Sequence, residues 1–359
     1  MSDPDEQFDD PDSATENPDV LVAGETLIDF LPDAPGPLAS VETFSRRAGG
    51  APANVAVALA RLDETPWFWT RVGEDSFGDY LADELASFGV PDRFVERDTD
   101  AKTALAFVSH DADADREFTF YREDTADVRL DPATIPDEVL DGVPWVALGG
   151  VMLATEPGRT ATLDLAERAA DQDCTVVFDP NARPELWDAE VEFADLAARM
   201  LDHVDVVTAT PEDLAAAGIG VEPADESARA STPGEPTAVS ASRESTAVDS
   251  LDALAEAVTD LGPHTVLLTL GESGAFATAT EDAPWDAQTA SHRGYDVDAV
   301  DATGAGDAFT AGALAALADG ETSLSTVLAF ANAVAALTTT AQGAMTALPT
   351  REEVRRFRR

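Results

Sequence analysis

The sequence predicts an α/β protein with a mainly parallel sheet covered by helices on both faces and a small antiparallel flap beside it. Short apolar runs recur along the chain, and stretches with helical periodicity separate most of them, the alternation that builds βαβ units. The runs are apolar throughout rather than at every second residue, as in strands buried on both faces. One stretch, 101–122, instead holds two strand-like runs joined by a polar linker.

In chain order, residues 1–19 are mostly Asp, Pro, Ser and Glu and are expected to form a disordered acidic tail. Val20-Leu21-Val22-Ala23 is the first strand, closed by Gly24. A helix over 52–62, the strand Trp67-Phe68-Trp69 and a helix over 77–88 follow. The runs 103–109 and 117–121, joined by Asp111-Ala112-Asp113-Ala114-Asp115, read as a hairpin and form the flap. Strands over 145–148, 175–178, 204–207 and 266–270, with helices over 159–170, 251–261 and 311–317, complete the core. Residues 222–250, rich in Ser, Ala, Thr and Pro, read as a surface insertion. Residues 351–359 read as a C-terminal tail.

The composition excludes several functions. Seventy acidic side chains against 22 basic ones leave a net charge of −48 over 359 residues, and Lys102 is the one lysine. A phosphate-binding Walker A loop and pyridoxal chemistry each need a lysine in a context that Lys102 lacks. So negative a surface repels nucleic acid and anionic lipid. With 44% apolar residues the chain is nonetheless a folding one. Its charge suits a solvated surface in concentrated salt, where self-repulsion is screened. Cys174 stands alone in an apolar setting, which favours core packing over a reactive thiol. His110, His203, His264 and His292 have no ligand spacing. An acidic N-terminus, no apolar span of bilayer length and no possible intrachain disulfide place the protein in the cytoplasm.

Two segments carry chemistry. In Asp301-Ala302-Thr303-Gly304-Ala305-Gly306-Asp307-Ala308-Phe309, glycines precede an apolar helix. Backbone N–H groups and the helix dipole can converge there on an anion without a cationic side chain. Asp307 at the helix start can take a proton from an attacking hydroxyl or, alternatively, cap its own helix. A dinucleotide fingerprint is the rival, but Phe309 stands where it needs Gly. In Ala48-Gly49-Gly50-Ala51-Pro52-Ala53-Asn54, Asn54 is the one amide at the start of an apolar helix. It must bond either its own turn or a hydroxyl-rich ligand.

Together these segments resemble the two signatures of the ribokinase-like, phosphofructokinase-B-type (PfkB) carbohydrate kinases. The resemblance covers roughly residues 20–349. It implies a three-layer α/β/α ribokinase-like (Rossmann-like) core over 20–350, with a β lid from about 30–48 and 101–125, and ATP-dependent phosphorylation of a sugar hydroxyl. By position, Asp307 is then the general base and Gly304, Ala305 and Gly306 the anion hole. Asp29, Gly49, Gly50 and Asn54 hold sugar hydroxyls. Thr269, Gly271 and Gly274 lie beside the nucleotide, and Asn332 near the adenine. Asp301, Thr303 and Gly343 match positions that bind K⁺ in many members. A homodimer through the lid is implied as well.

Gly24-Glu25-Thr26-Leu27-Ile28-Asp29-Phe30, Arg116-Glu117-Phe118-Thr119-Phe120-Tyr121-Arg122 and Asp179-Pro180-Asn181-Ala182-Arg183 are similar to fructokinases. That similarity brings Tyr121 and Arg122 from the lid, and Arg183, to the substrate or phosphates. A 2-keto-3-deoxygluconate kinase shares the pattern and would use both arginines on a carboxylate; ribokinases follow. A non-catalytic sugar sensor would have lost the base or the anion hole, and both are intact. One departure stands out: many members have Asn-x-x-Glu near Mg²⁺, and here Thr210 and Asp213 take those places, so that Asp213 or Glu212 would reach Mg²⁺ through water.

Overall fold

A computed structural model describes residues 17–34, 36–110, 116–187, 190–220 and 240–359. The expected tail up to residue 16, the flap turn 111–115 and the insertion as far as 239 lie outside them.

The chain opens with β1 (Val20–Ala23), β2 (Leu27–Pro32), β3 (Phe44–Gly49) and α1 (Ala51–Arg61). Next come β4 (Trp67–Gly73), α2 (Ser76–Ser87), β5 (Val95–Asp98), β6 (Leu105–His110) and β7 (Arg116–Tyr121). The short α3 (Asp137–Leu140) leads to β8 (Trp145–Gly149), α4 (Gly158–Asp171), β9 (Thr175–Asp179) and α5 (Glu190–Leu201). β10 (Val206–Ala209), α6 (Pro211–Ala216), α7 (Ser240–Thr259) and β11 (Thr265–Thr269) follow. The chain ends with β12 (Ala275–Ala279), β13 (Gln288–His292), α8 (Ala305–Ala318), α9 (Leu324–Thr338) and α10 (Arg351–Phe357).

The main sheet has the order β13-β12-β11-β10-β9-β8-β1-β4-β5, and a second sheet the order β3-β2-β6-β7. From β5 to β11 every pairing is parallel; β12 and β13 add an antiparallel edge. β1 lies inside, with Leu21 opposite both Trp67 of β4 and Val146 of β8. Its four residues are all buried, and successive ones feed different cores. Val20 and Val22 pack into one with residues of α1, α8 and α9, while Leu21 and Ala23 pack into the other with residues of α4, α5 and α7. That division is the three-layer arrangement, produced by the period of two along a strand.

β2, β3, β5, β12 and β13 escape a search for apolar runs. β5 reads Val-Glu-Arg-Asp and β13 Gln-Thr-Ala-Ser-His; such edge or half-covered strands take their pairing from a neighbour rather than from their own hydrophobicity. Two boundaries are corrected. The expected tail 351–359 is largely α10, started by a capping box in which Thr350 and Glu353 bond each other's backbone N–H, and anchored by the fully buried Val354. α7 begins at Ser240, within the stretch read as insertion, where neither Pro nor Gly interrupts the chain up to residue 259. Asp19, assigned to the tail, accepts a backbone bond from Trp145. Cys174 is buried against the Leu140 carbonyl. Among the described residues no helix is long and apolar enough to cross a membrane.

Candidate active site

From β1 the chain passes through α1 to β4 on one side and returns through β8 on the other, so the order of the parallel strands reverses at β1. In such sheets the crevice beyond the C-terminal strand ends at this reversal is where ligands bind. Glu25 follows β1 here, Asp179 ends β9, Thr210 follows β10 and Thr269 ends β11; all four border one cavity of about 420 Å³. The small sheet lends it Leu27, Asp29, Phe118 and Phe120, and the first turns of α1 and α8 close it.

Both helix starts depend on glycine. Gly50 caps α1 at φ 103°, and a Cβ there would lie 2.5 Å from the Glu25 carbonyl oxygen. Gly304 caps α8 in the left-handed region at φ 76°. Asp307 makes no cap bond to its own helix and Asn54 none to its own turn; instead Asn54 Nδ2 donates to Asp307 Oδ2 at 2.7 Å. Asn54 Oδ1 remains buried without a partner among the described residues.

Carboxylates dominate the cavity wall. Burial pushes Glu25 up to about 7, against the pull of Arg122. Asp29 is lifted to about 7, first by burial and then by repulsion from Asp307 and Glu25. Burial raises Asp179 well above the carboxylate range, helped by Asp213 and Asp307. Asp307 rises only to about 6, because the Asn54 hydrogen bond and the Arg183 guanidinium oppose its burial. Arg183 also attracts Asp29 and Asp179, and it is the one arginine on this wall among the described residues.

Of the expected site residues, Asp29, Gly50, Asn54, Arg183, Thr210, Asp213, Thr269, Thr303, Gly304, Gly306 and Asp307 border the cavity. Gly49 backs Asp29, whose carboxylate lies where a Cβ would stand, 2.0 Å from Oδ2. Gly271 and Gly274 shape the turn after β11, at φ 57° and 89°. Asp213 closes a capping box with Thr210: its Oδ2 accepts from the Thr210 N–H and hydroxyl, its Oδ1 from the Ala182 N–H. Asp301 gathers the third expected set, accepting from the N–H and hydroxyl of Thr303 and from the Gly343 N–H.

Four expectations are corrected. Ala305 gives its N–H to the Ala302 carbonyl at 3.2 Å and does not border the cavity. Tyr121 lies 58% exposed on the far face of the small sheet, packed against Phe107, because strand alternation turns Phe118 and Phe120 inward instead. Arg122 is withdrawn into the core, where its Nε pairs with Asp127 and its Nη1 donates to the Val151 carbonyl. Asn332 is buried in α9 and donates to the Leu328 carbonyl one turn back.

Sequence reasoning overlooked Glu25, Asp179, Asn181 and the two inward phenylalanines. An acidic residue at or just beyond the C-terminal end of an apolar run marks the ligand end of a parallel sheet, and this signal was available for Asp179, which ends β9, and for Glu25, one residue beyond Gly24 after β1.

The model of the pfkB family carbohydrate kinases matches residues 17–351. A probable fructokinase of Arabidopsis thaliana is 35% identical over 346 residues, covering 93% of this chain and 95% of its own. A fructokinase of Xylella fastidiosa solved with bound ATP superposes with a TM-score of 0.76 at 29% identity, over 94% of this chain and 97% of that one. A Vibrio cholerae fructokinase double mutant, solved with fructose, ADP and a potassium ion, gives 0.73 at 28% identity, over 95% and 98%. With the match running through both glycine-started helices and the small sheet alike, the chain belongs to the pfkB family of carbohydrate kinases and is an ATP-dependent phosphotransferase.

Proposed function

We propose that this enzyme transfers the γ-phosphoryl group of ATP to a hydroxyl of fructose, with Asp307 as the general base. The observation that carries this reading is the Asn54–Asp307 pair at the start of α8, on a wall shared with Asp29. The ionised Asp307 takes the hydroxyl proton, the sugar oxygen attacks the γ-phosphorus, and the bond to the β-phosphate oxygen breaks as ADP leaves. Near the helix start, the N–H of Gly306 and the dipole of α8 meet the charge that develops. Asp29 and the free Oδ1 of Asn54 accept hydroxyls of the sugar.

A neutral sugar is favoured over 2-keto-3-deoxygluconate. With Arg122 held by Asp127, Arg183 alone is left for a substrate carboxylate, and five acidic side chains, Glu25, Asp29, Asp179, Asp213 and Asp307, border the same space. The fructokinase relatives point the same way.

Mg²⁺ fits this wall, since the mutual repulsion of Asp179, Asp213 and Asp307 is relieved by a divalent cation. Asp179 and Asp213 would hold it, Asp213 through water because its oxygens already accept three hydrogen bonds. Bound with the nucleotide, it offsets phosphate charge. Asp301, Thr303 and Gly343 draw two loops together beside the anion site, a setting rich in oxygens that suits K⁺. Phe30, Phe44, Phe107 and Tyr121 form an aromatic cluster on the outer face of the lid, which supports pairing of lids in a homodimer. The cytoplasm is the proposed location.

ADP release in multimolar KCl, across fructose, ribose, 2-keto-3-deoxygluconate, fructose 1-phosphate and adenosine, tests the reading. Fructose is expected to give the highest kcat/KM; turnover of ketodeoxygluconate with fructose inert would overturn it.

A further inference from the structure

The cavity continues at its inner end into a chamber of about 20 Å³. Most of its wall is apolar, including Val22, Val55, Ala147 and Val177, but Glu25, Asp179, Asn181 and Thr310 border it too. All four also border the main cavity, so they stand where the two spaces meet. Glu25 is 2% exposed and Asn181 8%. Glu25 Oε1 accepts a long bond from the Ala51 N–H at 3.3 Å, while Glu25 Oε2 and Asn181 Oδ1 have no donor among the described residues. Buried acceptors are almost always satisfied. The Thr310 hydroxyl on the same wall is paired with that of Thr208 at 3.1 Å and reaches neither Glu25 Oε2 nor Asn181 Oδ1, so two acceptors on one small space, large enough for a single oxygen atom, call for a donor from outside the protein.

Both side chains are held in position. Asn181 sits at φ 39°, in the left-handed region that few residues other than Gly, Asn and Asp adopt, with its N–H given to Asp179 Oδ1 at 2.9 Å. Left-handed backbone at a non-glycine residue concentrates at ligand sites. Glu25 is attracted by the Arg122 guanidinium, which Asp127 and the Val151 carbonyl fix at the end of the lid strand β7.

We infer that Glu25 and Asn181 form a subsite for one non-reacting hydroxyl of the acceptor sugar, whose single proton is shared between Glu25 Oε2 and Asn181 Oδ1 in a three-centre bond at the inner end of the cavity. The inference rests on the reading of the cavity as a sugar site. Water is the other source of the same O–H chemistry. A site built to bond a hydroxyl rejects an analogue lacking it far more strongly than an apolar wall rejects a change of size.

The test is kcat/KM for fructose and its monodeoxy analogues on the wild type, Glu25→Gln and Asn181→Gly. Gln keeps the volume of Glu25 and Gly keeps the left-handed backbone, so either variant serves if the other does not fold. In the wild type, one analogue that retains the phosphorylated hydroxyl is expected to fall about 30-fold, in line with leaving buried acceptors without their donor. In the variants most of that single penalty disappears while the others stay. Identical penalties in all three proteins would overturn the inference. So would a crystal of the fructose complex with a water between Glu25 Oε2 and Asn181 Oδ1, which assigns the donor to solvent. A wild type that phosphorylates no sugar would strike the kinase reading instead; calorimetric Kd values for the same analogues must then show the same pattern for the subsite to stand.

Discussion

Asn54 donates to Asp307 at 2.7 Å and so joins the first turns of α1 and α8 across 253 residues of chain. A hydrogen bond to the ionised form stabilises it. Burial pushes Asp307 up, and the Asn54 amide and Arg183 oppose it, so that the carboxyl rises only to about 6. The carboxylate can therefore be both dry and ionised at pH 7, the combination a general base needs.

Asp307→Asn keeps the shape of the side chain and removes the proton acceptor. kcat is expected to fall by about 10³-fold, within the span of general-base contributions, with thermal unfolding and calorimetric fructose binding close to wild type. Turnover within tenfold of wild type would take Asp307 out of the base role.

Asn54→Ala removes the bond that favours ionised Asp307, so the acid limb of the kcat/KM profile is expected to move up from about 6, by ~1 pH unit for the loss of one hydrogen bond to a carboxylate. An unmoved limb with a raised fructose KM would leave Asn54 a sugar contact only.

Stability without ligand should fall as pH rises. In the folded state Glu25, Asp29 and Asp307 sit at about 7, 7 and 6, above the ordinary 4.5, 3.8 and 3.8. The folded state then binds more protons than the unfolded one. The resulting stabilisation is full below about pH 4 and is lost as pH rises through 6 to 7. Denaturant midpoints at fixed KCl are expected to drop between pH 5 and pH 8, and a flat or rising series would contradict the raised acids.

Arg122→Met strands the buried Asp127 carboxylate, and about 3–5 kcal/mol of stability should be lost. The double variant Arg122→Met/Asp127→Leu is expected to recover most of it, because both charges leave the core together. Equilibrium unfolding in urea measures each. A raised KM for fructose without loss of stability would instead return Arg122 to the substrate.

With a net charge of −48, the folded chain repels itself at low ionic strength. Unfolding temperatures are expected to climb from dilute buffer to multimolar KCl. Equal stability in both would show that the surface charge is tolerated without screening.

Local sequence determined a good deal of this protein. The apolar runs specified the inner parallel strands, because a strand covered on both faces must be apolar along its whole length. The glycines at 50 and 304 specified two helix starts facing a ligand, because only glycine adopts those backbone angles beside such close neighbours. The Thr350–Glu353 capping box of α10 was equally legible and was passed over. Tertiary structure decided the rest. The half-polar strands took their register from neighbours. The period of two along β7 turned Phe118 and Phe120 inward and Tyr121 outward, and Asp127 drew Arg122 into the core. Whether Asp307 capped its own helix or Asn54 bonded its own turn could not be read from either segment, because each finds its partner on the other. Proton affinities, likewise, follow from which carboxylates the fold buries side by side, and that is a property of the assembled cavity rather than of any stretch of chain.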